Sequence, residues 1–546
     1  MSRATMLSLE RPVYEERKRR IESEPLPKNL GELLETAAEL HKDKAVLHFF
    51  ESATPPLSYR QLAAQVNRLA NGLARRGVVK GSHVGVMLPN VVEFPITWLA
   101  LARLGAVMVP INIAYTGREL KYVIDDSEAQ FLIIHNDCLP AFQDVGSDHR
   151  AMQGVANVFV VEAADPAYTS WQSLLDGESD VFRPYSDVVL DDLMNIQYTS
   201  GTTGFPKGCM LTHRYWLIAG KQNAFRDGLA YRKILASTPF FYMDPQWQFL
   251  MSMYSGACLY VAKRQSATRF MTWVRQFGIN FALMPDVVLK QPPSEHDRNH
   301  DLMRVNVYGL SRENHALLEE RFDVCAREAF GMTEIGTGLY MPLEAASMVG
   351  SGSCGIPVPF REARIADPEG NTLPDGQVGE LLVRGPGIMK GYYNRPDATA
   401  SSFHGDWFRT GDLFRRDEQG YFYIVGRIKE MIRRAGENIS VHELESVLLA
   451  YPDVCEAAVV AVKDEIRGEE VKAYVVPQKG VVGDAMLDAL IRYCKDNLAA
   501  FKVPRYFEFR DALPKTASGK VAKPVLTSEN ADLRAGSYDR VIGSWQ

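Results

Sequence analysis

Tyr198-Thr-Ser-Gly-Thr-Thr-Gly-Phe-Pro-Lys-Gly208 follows an apolar-rich run, VVLDDLMNIQ over 188–197, and precedes LTHRYWLIAG over 211–220. The run before it predicts a buried strand and the segment after it a helix. Four Ser/Thr and three Gly in eleven positions make a loop whose backbone N–H groups can approach an anion closely. The hydroxyls add donors and Lys207 adds a positive charge, so the loop reads as a phosphate cradle. The G-x-x-x-x-G-K-[ST] spacing of a P-loop is not met. By composition alone, a flexible surface loop is the alternative.

Outward from this loop, helix and strand signals alternate. Ser58 to Gly77 is amphipathic at helical spacing, with Ser58 as its cap. His83 to Leu88 reads as a strand and Val92 to Leu104 as a helix. Ala129 to His135 and Asn157 to Val161 read as further buried strands. Such alternation predicts an α/β fold with largely parallel sheets covered by helices. After about Gly426 the texture changes. Ser440-Val-His-Glu443 is a capping box that opens a helix, and Pro452 ends it. Strands at Glu456 to Val462 and Val471 to Val476, a helix from Met486 to Leu498 and a strand at Tyr506 to Phe509 complete a small α+β domain.

At 546 residues the chain is too long for one core. Lys plus Arg is 61 and Asp plus Glu is 67, a net charge of −6 that points to no nucleic-acid partner. Seven Cys without a C-x-x-C pair suit a reducing, cytoplasmic setting rather than a disulfide framework or a zinc site. Residues 10–24 mix both charge signs and offer no signal peptide. The longest apolar stretch, Phe94 to Ala114, is interrupted by Pro95, Arg103 and Pro110, so no membrane span is expected.

The loop at 198–208 resembles the phosphate-loop signature of the adenylate-forming superfamily: acyl-CoA synthetases, peptide-synthetase adenylation domains and firefly-type luciferases. Further motifs follow in that family's order. Phe330-Gly-Met-Thr-Glu334 is similar to its Y-G-x-T-E, and Gly379–Gly385 with Gly391-Tyr-Tyr393 to the segment after it. Thr410-Gly-Asp412 is similar to its T-G-D, and Gly426-Arg-Ile-Lys-Glu430 with Gly436-Glu-Asn438 to its hinge and the loop beyond. Pro514-Lys-Thr-Ala-Ser-Gly-Lys520 is similar to its C-terminal lysine motif.

The resemblance implies an N-terminal domain over 1–427 that binds ATP and the acid. It also implies a small mobile α+β lid over 428–546, hinged near Lys429. It implies that Thr199, Ser200, Gly201, Thr202, Thr203, Gly204 and Lys207 hold the β- and γ-phosphates of ATP. Thr333 would donate to the α-phosphate and Glu334 would bind Mg²⁺, a hard cation that prefers carboxylate oxygen. Phe330 beside Gly331 would stack on adenine, where the family usually has Tyr. Asp412 would accept from both ribose hydroxyls, and Arg427 would contact ribose or phosphate. Lys520 would bridge the acid's carboxylate and the α-phosphate, a preorganised cation where two anions must meet. Gly436 and Glu437 would border the coenzyme A channel. The implied activity is that of an AMP-forming acid–thiol ligase using ATP, Mg²⁺ and coenzyme A. Lys520, Thr333 and Glu334 are its catalytic candidates.

Two segments depart from the family pattern. Tyr242 stands where many acyl-CoA synthetases carry His, and Asn306-Val-Tyr-Gly-Leu-Ser311 replaces a Gly-Ala-Ala-Pro-like turn. Gln291–His300, with Asp244 and Gln246, resembles bacterial carnitine/crotonobetaine-CoA ligases. Asp244 amid Phe240, Phe241, Tyr242 and Trp247 would serve a short acid bearing a quaternary ammonium, through charge and ring faces. An apolar pocket for an aryl or fatty acid is the other reading of the same aromatics. Also open are adenylation for a carrier protein acting in trans, a luciferase-like oxygenase and a catalytically dead binding module. The last is opposed by the intact Lys207, Glu334, Asp412, Arg427 and Lys520. The sequence leaves the oligomeric state unknown.

Overall fold

The structure is a computed structural model that describes residues 3–145, 157–184, 186–199, 206–310, 312–428, 431–434, 437–465, 467–478, 484–498, 500–516 and 519–546. The chain forms two compact units. One comprises Met1–Ala363 with Val383–Phe408, the other Arg364–Leu382 with Arg409–Gln546.

The first unit is α/β, built on two large sheets. One runs Thr169–Ser170, Val158–Val161, Phe131–His135, His83–Met87, Val107–Pro110, Leu193–Thr199, Lys207–Thr212. Its strands are parallel up to Leu193–Thr199, and only the last pairing is antiparallel. The other has a parallel centre in the order Cys325–Met332, Arg304–Val307, Phe281–Leu283, Lys233–Ala236, Cys258–Val261, Ala45–Phe49. Parallel strands must be covered on both faces, which is why their sequences are near-continuous apolar runs. The covering helices obey their local signals. Ser58 Oγ accepts from Gln61 N at 3.2 Å while Gln61 Oε1 accepts from Ser58 N at 2.8 Å, a full capping box opening Tyr59–Arg75. The helix Glu93–Leu104 is buried nearly all round, so it belongs to the core, and Gly105 ends it in the left-handed region.

The second unit holds the expected α+β arrangement, with strands Val454–Asp464, Gly468–Pro477 and Tyr506–Phe509 and helices Val441–Ala450 and Asp484–Asn497. Leu444, Leu448, Val471, Val475, Leu490 and Phe507 form its core. The Ser440 side chain of the expected capping box lies outside the described residues. All seven cysteines are free thiols. Among the described residues no helix is long and apolar enough to cross a membrane.

Candidate active site

In the first unit the glycine-rich loop is strung between the antiparallel strands Leu193–Thr199 and Lys207–Thr212, with Thr199 directly opposite Lys207. Ser200, Gly201, Thr202, Thr203 and Gly204 lie outside the described residues. Gly208 allows the strands to close: a Cβ there would meet Ile196 Cγ2 at 2.4 Å. The segment Lys390–Tyr393 runs along the free edge of this hairpin. Met210 N donates to Gly391 O at 2.9 Å and Tyr393 N to Gly208 O at 2.8 Å.

That edge carries a residue the sequence reading gave no role. The Tyr392 hydroxyl donates to Glu334 Oε1 at 2.8 Å, and the Lys207 ammonium sits 4.3 Å over the Tyr392 ring. One ring therefore ties the loop's cation to the motif's carboxylate. Burial, then the Glu334 charge, raise the Tyr392 phenol above its ordinary range.

Glu334 is 7% exposed, and its place is fixed by its backbone neighbours. Met389 N donates to Glu334 O at 2.8 Å. Tyr215 OH donates to Thr333 O at 3.0 Å. Arg361 Nε and Nη2 donate to Ile335 O at 3.0 and 2.8 Å. Burial pulls the Arg361 guanidinium down to about 10, still charged at neutral pH. Thr333 and Phe330 are partly exposed and Gly331 is exposed, so this turn presents its motif face outward while its carbonyls are held from within.

The acid-pocket candidates follow the strand Lys233–Ala236. Gln197 Nε2 donates to Phe241 O at 2.7 Å, and Gln246 Nε2 donates to Phe240 O at 2.9 Å and Tyr242 O at 3.1 Å. These bonds fix the turn that leads into the helix Met243–Ser255. Asp244 accepts from Trp247 Nε1 at 3.0 Å, and Tyr242 OH accepts from Asn112 Nδ2 at 3.3 Å. Asp244 keeps some solvent contact yet is ringed by protein, and that burial raises its carboxyl. Phe240 is fully buried, its ring 6.1 Å from Phe49 and 5.4 Å from Phe94, so it packs with the core.

In the second unit Asp412 lies opposite Arg427 across two antiparallel strands, and Arg427 Nε is 2.8 Å from Asp412 Oδ1. Asp412 is 2% exposed, and its N–H donates to Thr410 Oγ1 at 3.1 Å. Lys520 is exposed at the end of a tight turn: Thr516 N donates to Lys520 O at 2.7 Å, and Lys520 N to Thr516 Oγ1 at 3.2 Å. Lys429, Gly436 and the Glu437 side chain lie outside the described residues.

The family description "AMP-binding enzyme" matches residues 34–393, and "AMP-binding enzyme C-terminal domain" matches 443–520. The chain is an AMP-binding enzyme. It is 33% identical over 518 residues to the crotonobetaine/carnitine–CoA ligase of Salmonella typhi, covering 91% of this chain and 98% of that one. Among solved structures, it is similar to the o-succinylbenzoate CoA synthetase MenE of Bacillus subtilis in complex with its acyl-adenylate intermediate. That likeness has a TM-score of 0.80 and 25% identity, over 93% of this chain and 99% of that one. It is likewise similar to ATP-bound MatB from Rhodopseudomonas palustris, with a TM-score of 0.80 and 28% identity over 91% and 98% of the two chains. This AMP-binding enzyme is therefore an adenylate-forming acyl-CoA ligase, which uses ATP and coenzyme A.

Proposed function

We propose that this acyl-CoA ligase activates a short acid bearing a quaternary ammonium, as an acyl-adenylate, and passes the acyl group to coenzyme A. The observation that carries the choice of acid is Asp244. Its carboxylate is only partly exposed and accepts from the Trp247 indole N–H, and among the described residues no Lys or Arg forms an ion pair with it. A desolvated carboxylate is costly without a cation beside it. A cationic head group, resting on the Asp244 charge and the rings of Tyr242 and Trp247, would supply that partner. The likeness to crotonobetaine/carnitine–CoA ligases supports the same reading. Without such a partner the site would suit a neutral aryl or fatty acid. The chemistry also fits the cytoplasm, where ATP and coenzyme A are both available.

In this reading an oxygen of the acid's carboxylate attacks the α-phosphorus of ATP and pyrophosphate leaves. The thiol sulfur then attacks the acyl carbon, losing its proton, and AMP leaves. Lys207, Thr199 and the loop hydroxyls hold the β- and γ-phosphates, and Thr333 donates to the α-phosphate. Phe330 stacks on adenine, Asp412 accepts from the ribose hydroxyls beside Arg427, and Lys520 bridges the two reacting anions. Among the described residues no group of three or more His, Cys, Asp or Glu could hold a metal ion. A single buried Glu334, one oxygen engaged by Tyr392, fits Mg²⁺ carried largely by phosphates and water. When bound, Mg²⁺ would neutralise phosphate charge.

Pyrophosphate exchange with a panel of betaines, aryl acids and fatty acids tests the substrate. Asp244→Asn is expected to lower kcat/KM for a betaine by about tenfold more than for a neutral acid of equal size, roughly 1.4 kcal/mol. Failure of every quaternary-ammonium acid to support exchange in the parent enzyme would reject the betaine. Product analysis with coenzyme A, or with a carrier protein in its place, tests the acceptor.

Lys429 is the proposed hinge between the two half-reactions. Proline fixes φ near −65°, which removes a dihedral that such a reorientation needs. Lys429→Pro is expected to keep adenylation largely intact while slowing transfer to coenzyme A at least about tenfold. Pyrophosphate exchange and single-turnover transfer measure the two separately. A folded variant that keeps both rates would remove Lys429 from that role.

A further inference from the structure

The strands Lys233–Ala236, Phe281–Leu283 and Arg304–Val307 run parallel, so the loops leaving their carboxyl ends emerge at one edge of the sheet. Ligands of open α/β sheets bind at that edge. One loop there ends at Tyr242 and leads into the helix Met243–Ser255, whose first turn holds Asp244. Another is the turn Tyr308-Gly-Leu310, which replaces the family's Gly-Ala-Ala-Pro-like turn.

This turn is gripped from the next strand. Glu328 lies opposite Val307 in the parallel register and is 6% exposed. Its Oε2 accepts from Gly309 N at 3.1 Å and its Oε1 from Leu310 N at 2.9 Å. Gly309 has φ of +67°, a left-handed conformation that favours glycine. Upstream, Asn306 O accepts from Met284 N at 3.0 Å, and Asn306 Oδ1 accepts from the buried Arg226 Nη2 at 3.2 Å. The turn is therefore tied down on both sides of Tyr308. Tyr308 itself is 49% exposed, yet enough protein surrounds it that burial, then the Asp244 charge, raise its phenol. Tyr308 and Asp244 both follow parallel strands at this edge and both keep solvent contact, so both are open to a molecule bound there.

We propose that Glu328 is a positioning residue for acid selection: its two carboxylate oxygens hold the Gly309–Leu310 turn so that the Tyr308 ring forms a wall of the acid site that Asp244 borders. The inference rests on the acid being bound at this sheet edge, but not on the acid being a betaine. Glutamine keeps the side chain's length but turns one acceptor into an N–H donor facing a backbone N–H. The grip then loses one bond and gains a repulsion.

The test uses whichever acid the full-length parent enzyme activates best. Glu328→Gln is expected to raise KM for that acid about fivefold, with kcat and KM for ATP within about twofold. Tyr308→Ala should raise it similarly, and the double variant should be no worse than Tyr308→Ala alone, since one residue acts through the other. Additive effects in the double variant, or an unchanged acid KM in folded Glu328→Gln, would overturn the proposal. If Glu328→Gln fails to fold, Tyr308→Ala decides alone: an unchanged ranking of acids of different size overturns it. A parent that rejects betaines but shows the Glu328–Tyr308 coupling with another acid would refute only the choice of acid.

Discussion

Replacing Lys520 by alanine is expected to slow acyl-adenylate formation by about 10²–10³-fold, the usual cost of removing one electrostatic contact from a transition state. Transfer from supplied acyl-adenylate to coenzyme A should be much less affected. The reason is chemical. Only the first half-reaction drives a carboxylate against a phosphate, and only there does a cation between them stabilise developing charge. The local structure suits a presented lysine. Gly519, with φ of +80°, and the paired Thr516–Lys520 bonds close a turn that leaves the side chain exposed. Lys515, five residues earlier, is instead committed to an ion pair with Glu456. The measurement pairs pyrophosphate exchange with a single-turnover transfer assay. Equal losses in both steps would mean that Lys520 supports the fold or the nucleotide generally. A charge-retaining Lys520→Arg variant that recovers little would indicate that position matters as much as charge.

What could be read from sequence was whatever local pattern decides. The cap at Ser58 forms as expected, and Gln61 completes it into a reciprocal capping box that needs only residues 58–61. Tyr506–Phe509, three aromatics in four residues, is the strand expected. The residues that place Glu334 had no such signal. Tyr215, Arg361 and Met389 reach it through backbone groups from segments far away in the chain. Periodicity carries no information about such partners. Tyr392 stood inside a quoted motif, but its link to Lys207 and Glu334 needed the third dimension. Phe240 shows the converse: an aromatic-rich turn does not reveal which ring turns inward, and this one packs on Phe49 and Phe94. The helix Arg3–Ser23 gave almost no amphipathic signal, because its mixed charges hide the residues that bury among its described side chains, Tyr14 and Ile21. Tyr14 nevertheless anchors it, donating to Pro357 O at 2.5 Å.

The fold is expected to lose stability in mild acid through one residue, His213. It begins the helix His213–Phe225, which continues from the Lys207–Thr212 strand and carries Tyr215. It is fully buried, and its Nδ1 accepts from Leu30 N at 3.3 Å, the first amide of another helix. An Nδ1 that accepts has no proton, so the neutral ring carries its proton on Nε2. Protonation would set an N–H against the Leu30 N–H and place a cation at the positive ends of two helices. Burial, outweighing nearby Asp192, pushes His213 from 6.5 down to about 4. The sign follows from linkage. Above pH 6.5 the ring is neutral in both states and its contribution is intact. Between 6.5 and about 4 the unfolded chain binds a proton that the folded one refuses, so stability falls as pH falls. The loss should reach about 2 kcal/mol at pH 5 and about 3 kcal/mol near pH 4. Asparagine can present its carbonyl oxygen where Nδ1 lies and does not titrate. His213→Asn should therefore lack this part of the pH slope, although titrating carboxylates still contribute theirs. Hydrogen exchange of the His213–Phe225 amides reads the stability of this region directly, in parent and variant from pH 7.5 to 4.5. If the two curves stay parallel over that range, His213 is not buried as a neutral base, and the acid sensitivity of this unit must come from elsewhere.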